Sequence, residues 1–465
     1  MNRDMLYRPL REAIVTMMAA LITMSCALAI DPEPGPAILA IVLCLSLSRS
    51  QLDRDLRGRL EAAITLPAVS LAALGVGMLL LHARWFGAAA FVSGISLSIW
   101  LRRFGPLIRR AGSLIALPFV VILTTPYVPT TRVGHAMALL LPIIVALLAL
   151  FWVTVFHLLA RQLRWLPPAY SKKLLVSPPK RESSTRPIPS TRMAIQMATA
   201  LSVAFLIGYV FFAERWSWIV LTTFIVGSGN QGRLDVAYKS VLRVLGAAAG
   251  TVLAMVLTAH MGSHDATTVV LILAAVFLGI WLRPLGYAWW ALFVTLALSL
   301  LQGFEGTSTQ QILWPRLEEI VIGAIIGVAA AWFVLPVRST AVLRRRIADA
   351  LEVLADALNP ETPQRMPDAF DAALADVEKV AAAFRASRWL THRVRALQPA
   401  DWVDALLICR VPALALFETG AAPGRVRRAL GVARKSIREP ETLLLALVDL
   451  RRSMLEQRAP ETESG

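Results

Sequence analysis

From residue 1 to residue 337 the chain alternates apolar runs with short basic loops, and from 338 to 465 apolar positions recur at helical spacing among charges. A helix needs about 20 apolar residues to cross a bilayer. Runs at 12–30, 35–48, 61–81, 85–101, 112–128 and 135–160 predict six spans. Runs at 192–212, 216–229, 240–260, 267–283, 285–303 and 314–336 predict six more. The stretch between the blocks is rich in Pro, Ser, Lys and Arg, which predicts a mobile connector. The expected organisation is a first membrane repeat (1–165), a cytoplasmic linker (166–190), a second repeat (191–337) and a cytoplasmic helical domain (338–465). The fold class is all-α and polytopic, with about 12 transmembrane helices. The first run has the basic flank of a signal peptide and lacks a small-x-small cleavage site, so a retained first helix is expected.

The loops set the orientation. Alternate loops hold clusters such as Arg3, Arg8, Arg11; Arg49, Arg54, Arg57, Arg59; Arg102, Arg103, Arg109, Arg110; and Arg233, Lys239, Arg243. The other set holds Arg84, Arg132 and Arg215 alone. Such asymmetry predicts twelve crossings with both termini cytoplasmic. At an offset of about 182 residues, Ser46–Asp53 falls on Ser228–Asp235 without a gap, and the hydropathy pattern stays in register. Blocks with an even number of spans must repeat in parallel. In both blocks the second span is short. Fourteen residues cover about 21 Å against a core of about 30 Å, and paired short segments point to a transport site. Local bilayer thinning also relieves such a mismatch.

Composition agrees with a membrane protein: 57% of the 465 residues are hydrophobic and 17% are charged. The net charge of +16 does not indicate nucleic acid, because the cations flank apolar runs. Cys26, Cys44 and Cys409 give neither metal spacing nor a disulfide framework. No GxxxxGK[ST] loop occurs, which excludes ATP as an internal energy source. No nucleophile–base pair is legible, so an enzyme is not expected, nor is a cofactor. His260 and His264 stand i, i+4 beside Asp265, but Gly262 breaks the helix between them, so no metal site is expected. His157 reads as a packed histidine rather than a proton relay. Residues 338–465 predict a helical bundle on Val342, Leu343, Ile347, Leu351, Leu354 and Leu358, with helices at 367–397, 401–418, 422–437 and 440–456.

Candidate chemistry concentrates in the second block. Lys239, Arg243, Gly246 and Gly250 share one helical stripe, two cations leading to a glycine notch. An entering carboxylate would meet those donors first; positive-inside anchoring suits the same residues. The turn at Gly227–Gly232 offers backbone N–H groups, with Asn230 and Gln231 as further donors; a plain tight loop fits equally. In the last span Glu319, Gly323 and Gly327 are spaced i, i+4, i+8, and Arg316 and Glu318 stand beside the carboxylate. Ionisable groups inside a span mark a pathway or a partner. Glu318 and Glu319 are therefore candidates for proton coupling, or members of an interfacial pair with Arg316. Trp216, Trp218, Trp281, Tyr287, Trp289 and Trp290 suit aromatic belts, and one or two of them would suit stacking on an aromatic substrate.

The run Trp216-x-Trp218-x-x-Leu-Thr222, Gly232-Arg233, Ser240-x-x-Arg243-x-x-Gly246-x-x-x-Gly250, followed by Arg316-Leu-Glu-Glu-Ile-Val-Ile-Gly323-Ala-Ile-Ile-Gly327, resembles the fusaric acid resistance, or aromatic acid exporter, family. The resemblance covers about residues 10–337. It implies a proton-driven inner-membrane exporter of small organic, above all aromatic, carboxylic acids. A periplasmic membrane-fusion adaptor, an outer-membrane channel and a homo-oligomer are the partners it brings to mind. It places Trp216, Trp218, Arg233, Arg243, Gly246, Gly250 and Arg316 at the family's motif positions; the candidate substrate-binding residues are Trp216, Trp218, Thr222, Asn230, Arg233, Lys239, Arg243 and Arg316. Two competing readings are a passive organic-anion channel, and a non-transporting scaffold acting through its C-terminal helices.

Overall fold

The computed structural model describes residues 4–50, 56–104, 119, 123, 135–166, 189–258, 265–304, 309–359, 367–393, 397–419 and 423–456. Among them the regular structure is helical throughout. The chain divides into two compact units. The first comprises residues 1–173, 178–229 and 239–335, and the second residues 174–177, 230–238 and 336–465.

In the first unit the helices are α1 (Asp4–Ile30), α2 (Pro34–Ser50), α3 (Leu56–His82), α4 (Arg84–Leu101), α5 (His135–Gln162), α6 (Pro189–Phe211), α7 (Trp216–Gly227), α8 (Arg233–Thr258), α9 (Ala266–Leu282), α10 (Tyr287–Phe304) and α11 (Thr309–Phe333). The first turns of α8 belong to the second unit. Eight of these helices are long and apolar enough to cross a membrane: α1, α3, α4, α5, α6, α8, α9 and α10. Two shorter apolar helices, α2 and α7, stand where short spans were expected. The last, α11, carries Arg316, Glu318 and Glu319 in its first half. The protein is thus a multi-pass membrane protein. The expected span at 112–128 lies outside the described residues, except for Phe119 and Leu123, which are helical and buried. The linker at 167–188 and the pair His260 and His264 lie outside them as well.

The two blocks use the same pairings. In the first, α1 packs on α2, and both pack on α5; in the second, α6 packs on α7, and both pack on α11. Between blocks, α1 lies against α9 and α4 against α6, so the first helix of each block meets the fourth of the other. The offset read from sequence recurs in the helix starts. Residues 34 and 216 open α2 and α7, and residues 84 and 266 open α4 and α9, each pair 182 residues apart. Apolar side chains fill both blocks, with Leu43, Leu47, Leu66 and Leu141 buried in the first and Phe205, Ile219, Val220 and Leu221 in the second. Glycines set the closest approaches. A Cβ on Gly246 would meet Ala291 Cβ at 2.7 Å, and one on Gly250 would run into the carbonyl of Leu292. On α11, a Cβ at Gly323 would come within 2.6 Å of the Ile219 carbonyl, and at Gly327 within 3.2 Å of Val226.

The second unit is built from α12 (Ser339–Ala357), α13 (Pro367–Thr391), α14 (Pro399–Ile408), α15 (Arg410–Glu418), α16 (Gly424–Ser436) and α17 (Pro440–Glu456). Leu343, Ile347, Leu351, Leu354 and Leu358 line its core as their spacing predicts. The single helix expected at 401–418 is two. Pro412 has no N–H to donate and cannot continue the ladder from α14, so the chain turns at Cys409. Similarly, the helix expected to reach 397 ends at Thr391. Residues 230–238 dock into this unit. The amide of Arg233 donates to the Val337 carbonyl, and that of Leu234 to Ser339 Oγ. Gly232, at φ +122°, allows the approach, since a Cβ there would strike Ser339.

Candidate functional site

Two buried arginines of the first unit, Arg243 and Arg316, meet at α10. Thr295, Ser299 and Gln302 recur at i, i+4 and i+7, which sets one polar stripe on an otherwise apolar helix. From α8, Arg243 is 2% exposed, and its Nη1 donates to Thr295 Oγ1 at 3.4 Å. From α11, Arg316 is equally buried, and its Nη1 donates to Ser299 Oγ at 2.8 Å and to Gln302 Oε1 at 3.1 Å. The two guanidiniums lie within electrostatic reach of one another, and Arg243 within reach of Tyr287. Gly246 and Gly250 let α8 press onto α10, and this brings Arg243 to the stripe.

Arg316 is held from a third side. Its Cζ stands 4.0 Å from the centroid of the Trp218 ring on α7. A desolvated cation–π contact of this kind contributes about 2 kcal/mol, against about 2.5–3.5 kcal/mol for placing an arginine in the middle of a membrane span. The balance is incomplete, and the hydrogen bonding explains why. With Nη1 engaged, the other edge of the guanidinium, Nε and Nη2, is buried without a hydrogen-bond partner among the described residues. Those two N–H groups point the same way, the arrangement that grips a carboxylate in a bidentate pair. Arg243 Nε, Tyr287 Oη and Thr222 Oγ1 are buried and likewise without a hydrogen bond among the described residues. Unfilled buried donors on this scale are uncommon in a folded protein.

A carboxylate is built in nearby. Glu319, one helical turn beyond Arg316, is 1% exposed and lies 3.3 Å from Arg215 Nε, whose side chain is 47% exposed. The α11 face bearing Arg316, Glu319, Gly323 and Gly327 is the one that meets α7, and Gly323 and Gly327 allow the close, parallel contact along which Trp218 and Arg215 come to the charges.

Of the residues singled out in the sequence, the structure brings together Trp218, Arg243, Arg316 and Glu319. Thr222 sits beside them against Gly323. Trp216 packs elsewhere, at 5.4 Å from Phe205 and 5.2 Å from Tyr209 in an aromatic cluster that extends to Trp85. Glu318 is exposed. Lys239 Nζ donates to the Gly229 carbonyl at 3.2 Å, inside the first unit. Asn230 and Arg233 fall in the second unit, where Asn230 Oδ1 accepts from the amide of Gly232. His157 Nδ1 pairs with the Val153 carbonyl at 2.8 Å, the packed role expected. Among the described residues no group of His, Cys, Asp and Glu is arranged to hold a metal. Four contributors escaped the sequence reading: Thr295, Ser299, Gln302 and Arg215. The three on α10 carried a signal, a polar periodicity of 3.6 in an apolar run. Arg215 carried none, because its partner lies in another helix.

Comparison with known proteins agrees with this location. Residues 203–330 match the family described as Fusaric acid resistance protein-like, a segment that contains Trp218, Arg243, the α10 stripe, Arg316 and Glu319. The chain is 24% identical over 226 residues to the Escherichia coli (strain K12) protein titled Uncharacterized protein YhfK. That alignment covers 46% of this chain and 31% of the Escherichia coli chain, so it spans about a third of the relative's length. No solved structure matches the chain.

Proposed function

With a fusaric acid resistance protein-like segment at residues 203–330 as its core, we propose that this protein is an inner-membrane efflux transporter for small organic carboxylic acids, aromatic ones in particular. It has two parallel six-helix repeats and both termini in the cytoplasm. The observation that carries the reading is the Nε–Nη2 edge of Arg316, buried beside Trp218 without a hydrogen-bond partner among the described residues. A carboxylate accepts both N–H groups, and Arg243 supplies a second positive charge within reach. The indole that stacks on Arg316 offers the wall of a pocket for an aromatic ring. Arg243 and Arg316 each add a positive charge beside the neutral Arg215–Glu319 pair, so a bound carboxylate lowers the net charge of the stripe.

Coupling to protons falls to Glu319. It is an ionisable group on the same helix face as Arg316, held by an arginine that is half-exposed. Protonation would release Arg215 and change the charge that the substrate meets, which links the two ligands. The test is counterflow of radiolabelled hydroxybenzoate in proteoliposomes, with and without an imposed pH gradient. Uptake that grows with the gradient and vanishes in Arg316→Gln supports a coupled exporter. Uptake independent of the gradient assigns a passive anion channel. No uptake of any carboxylate, from protein that is folded by tryptophan fluorescence, rejects transport and leaves the scaffold reading.

A further inference from the structure

Six arginines of the C-terminal unit pair with carboxylates among the described residues. Arg385 and Arg388 share Asp404, with Glu378 and Asp401 taking their remaining donors. Arg410 meets Asp371 at 2.8 Å, Arg346 meets Asp376 at 3.0 Å, and Glu456 takes both Arg425 and Arg452. Helix α16 contributes Arg425 to these pairs. It has no acidic residue, and Arg427, Arg428, Arg434, Lys435 and the following Arg438 are all exposed. None of the five side chains makes an ion pair or hydrogen bond among the described residues. Val426, Leu430 and Ala433 bury the opposite side of the helix in the core, so the cations are confined to the outer face. Arg427, Arg434 and Arg438 follow a stripe of i, i+7 and i+11. Val432, 56% exposed, stands among them. The next helix, α17, packs on α16 and exposes Leu445 (67%), Val448 (50%) and Leu455 (42%) at i, i+3 and i+10.

A helical hairpin with unpaired cations on one helix and an exposed apolar stripe on the other has the composition of a surface that binds anionic lipid. The cations meet phosphates, and the aliphatic side chains enter the boundary below them. A bilayer is also always at hand, because the chain passes directly from the membrane unit into this one at residues 238–239 and 335–336. Tethering of that kind makes docking intramolecular and raises its effective concentration. We propose that the outer face of α16, with the adjoining stripe of α17, is a docking surface for the anionic phospholipid headgroups of the membrane that holds the protein. The inference is independent of what the first unit transports.

The test uses the full chain with Cys26, Cys44 and Cys409 replaced by alanine and a polarity-sensitive dye on Val432→Cys, in lipid nanodiscs. The expected result is a blue shift of the dye in nanodiscs of phosphatidylglycerol relative to phosphatidylcholine. That shift is lost when Arg427, Arg428, Arg434, Lys435 and Arg438 are all changed to Gln. It is also lost in 1 M salt, where the Debye length falls to about 3 Å. The α16 variant should keep the wild-type thermal unfolding temperature, which shows that it folds. The same emission in both lipids overturns the proposal. So does a shift in phosphatidylcholine nanodiscs on addition of a soluble polyanion such as heparin, without a response to phosphatidylglycerol, because the face then serves a soluble acidic partner.

Discussion

The helix trios α1–α2–α5 and α6–α7–α11 share their packing pairs and differ in what they bury. In the first, two neutral polar contacts join α1 and α2. Thr16 and Ser48 hydroxyls lie 2.8 Å apart, and Cys44 Sγ reaches Thr23 Oγ1 at 3.4 Å. Alanines, leucines and valines fill the rest. In the second, the same kind of interface carries Arg316, Glu319 and Trp218 at its head, with Arg215 entering from the loop before α7. At the repeat offset of 182 residues, Pro36 occupies the place of Trp218, and Glu61 that of Arg243. The shared packing plan carries the Trp218–Arg316–Glu319 group in the second trio. The glycines of α11 and α8 supply closeness, and the arginines supply the chemistry.

The comparison predicts its own strongest test. Arg316→Gln keeps a neutral amide near Ser299 and removes the charge and the forked edge. Truncating one partner of a buried, hydrogen-bonded charge pair costs about 2–5 kcal/mol, so substrate affinity should fall by roughly 30-fold or more. Equilibrium binding of labelled hydroxybenzoate to detergent-solubilised protein measures it. Next in size is Trp218→Ala, which removes a cation–π contact of about 1–2 kcal/mol and should weaken binding by roughly 5- to 30-fold. Trp216→Ala, which opens a different aromatic cluster, should leave affinity within about twofold while lowering stability. If Trp216 and Trp218 behave alike, the assignment of the ring under Arg316 is wrong.

Much of this organisation is legible in the sequence. Hydropathy places α2, α4, α7 and α9 to within a residue or two, since a run bounded by charges has few registers open to it. The glycine stripes on α8 and α11 declare close packing, because few other roles suit Gly at i, i+4 in an apolar helix. What periodicity does not carry is which helix lies opposite. Arg215 reads as one cation of a sparse external loop until α11 is seen to bring Glu319 to it. Asn230 and Arg233 read as a substrate loop at the start of α8, yet the amides of Arg233 and its neighbour Leu234 donate to Val337 and Ser339, about a hundred residues later, and Asn230 accepts from Gly232. Local spacing is blind to that return. The helix expected across 401–418 fails for a local reason that was visible, Pro412.

Glu319→Gln sharpens the contrast on energy supply rather than affinity. The amide keeps the volume and loses the charge that holds Arg215, so binding should change by less than about tenfold, the scale of a partly exposed pair of about 1 kcal/mol. The dependence of uptake on the pH gradient should disappear. Uptake that still follows the gradient in this variant removes Glu319 from the coupling role and leaves it as the anchor of the loop before α7.

The smallest effect belongs to the first trio. Thr23→Val and Cys44→Ala remove the neutral contact between α1 and α2. Each costs about 1 kcal/mol of stability, the net worth of one hydrogen bond with some lost packing. If the first trio is scaffold alone, hydroxybenzoate affinity in both variants stays within about twofold of wild type, while thermal unfolding shifts down by a few degrees. The twofold bound is the discriminating quantity. A loss as large as that of Trp218→Ala from either substitution would place substrate in both halves, and the asymmetry between the trios would then be one of charge and not of function.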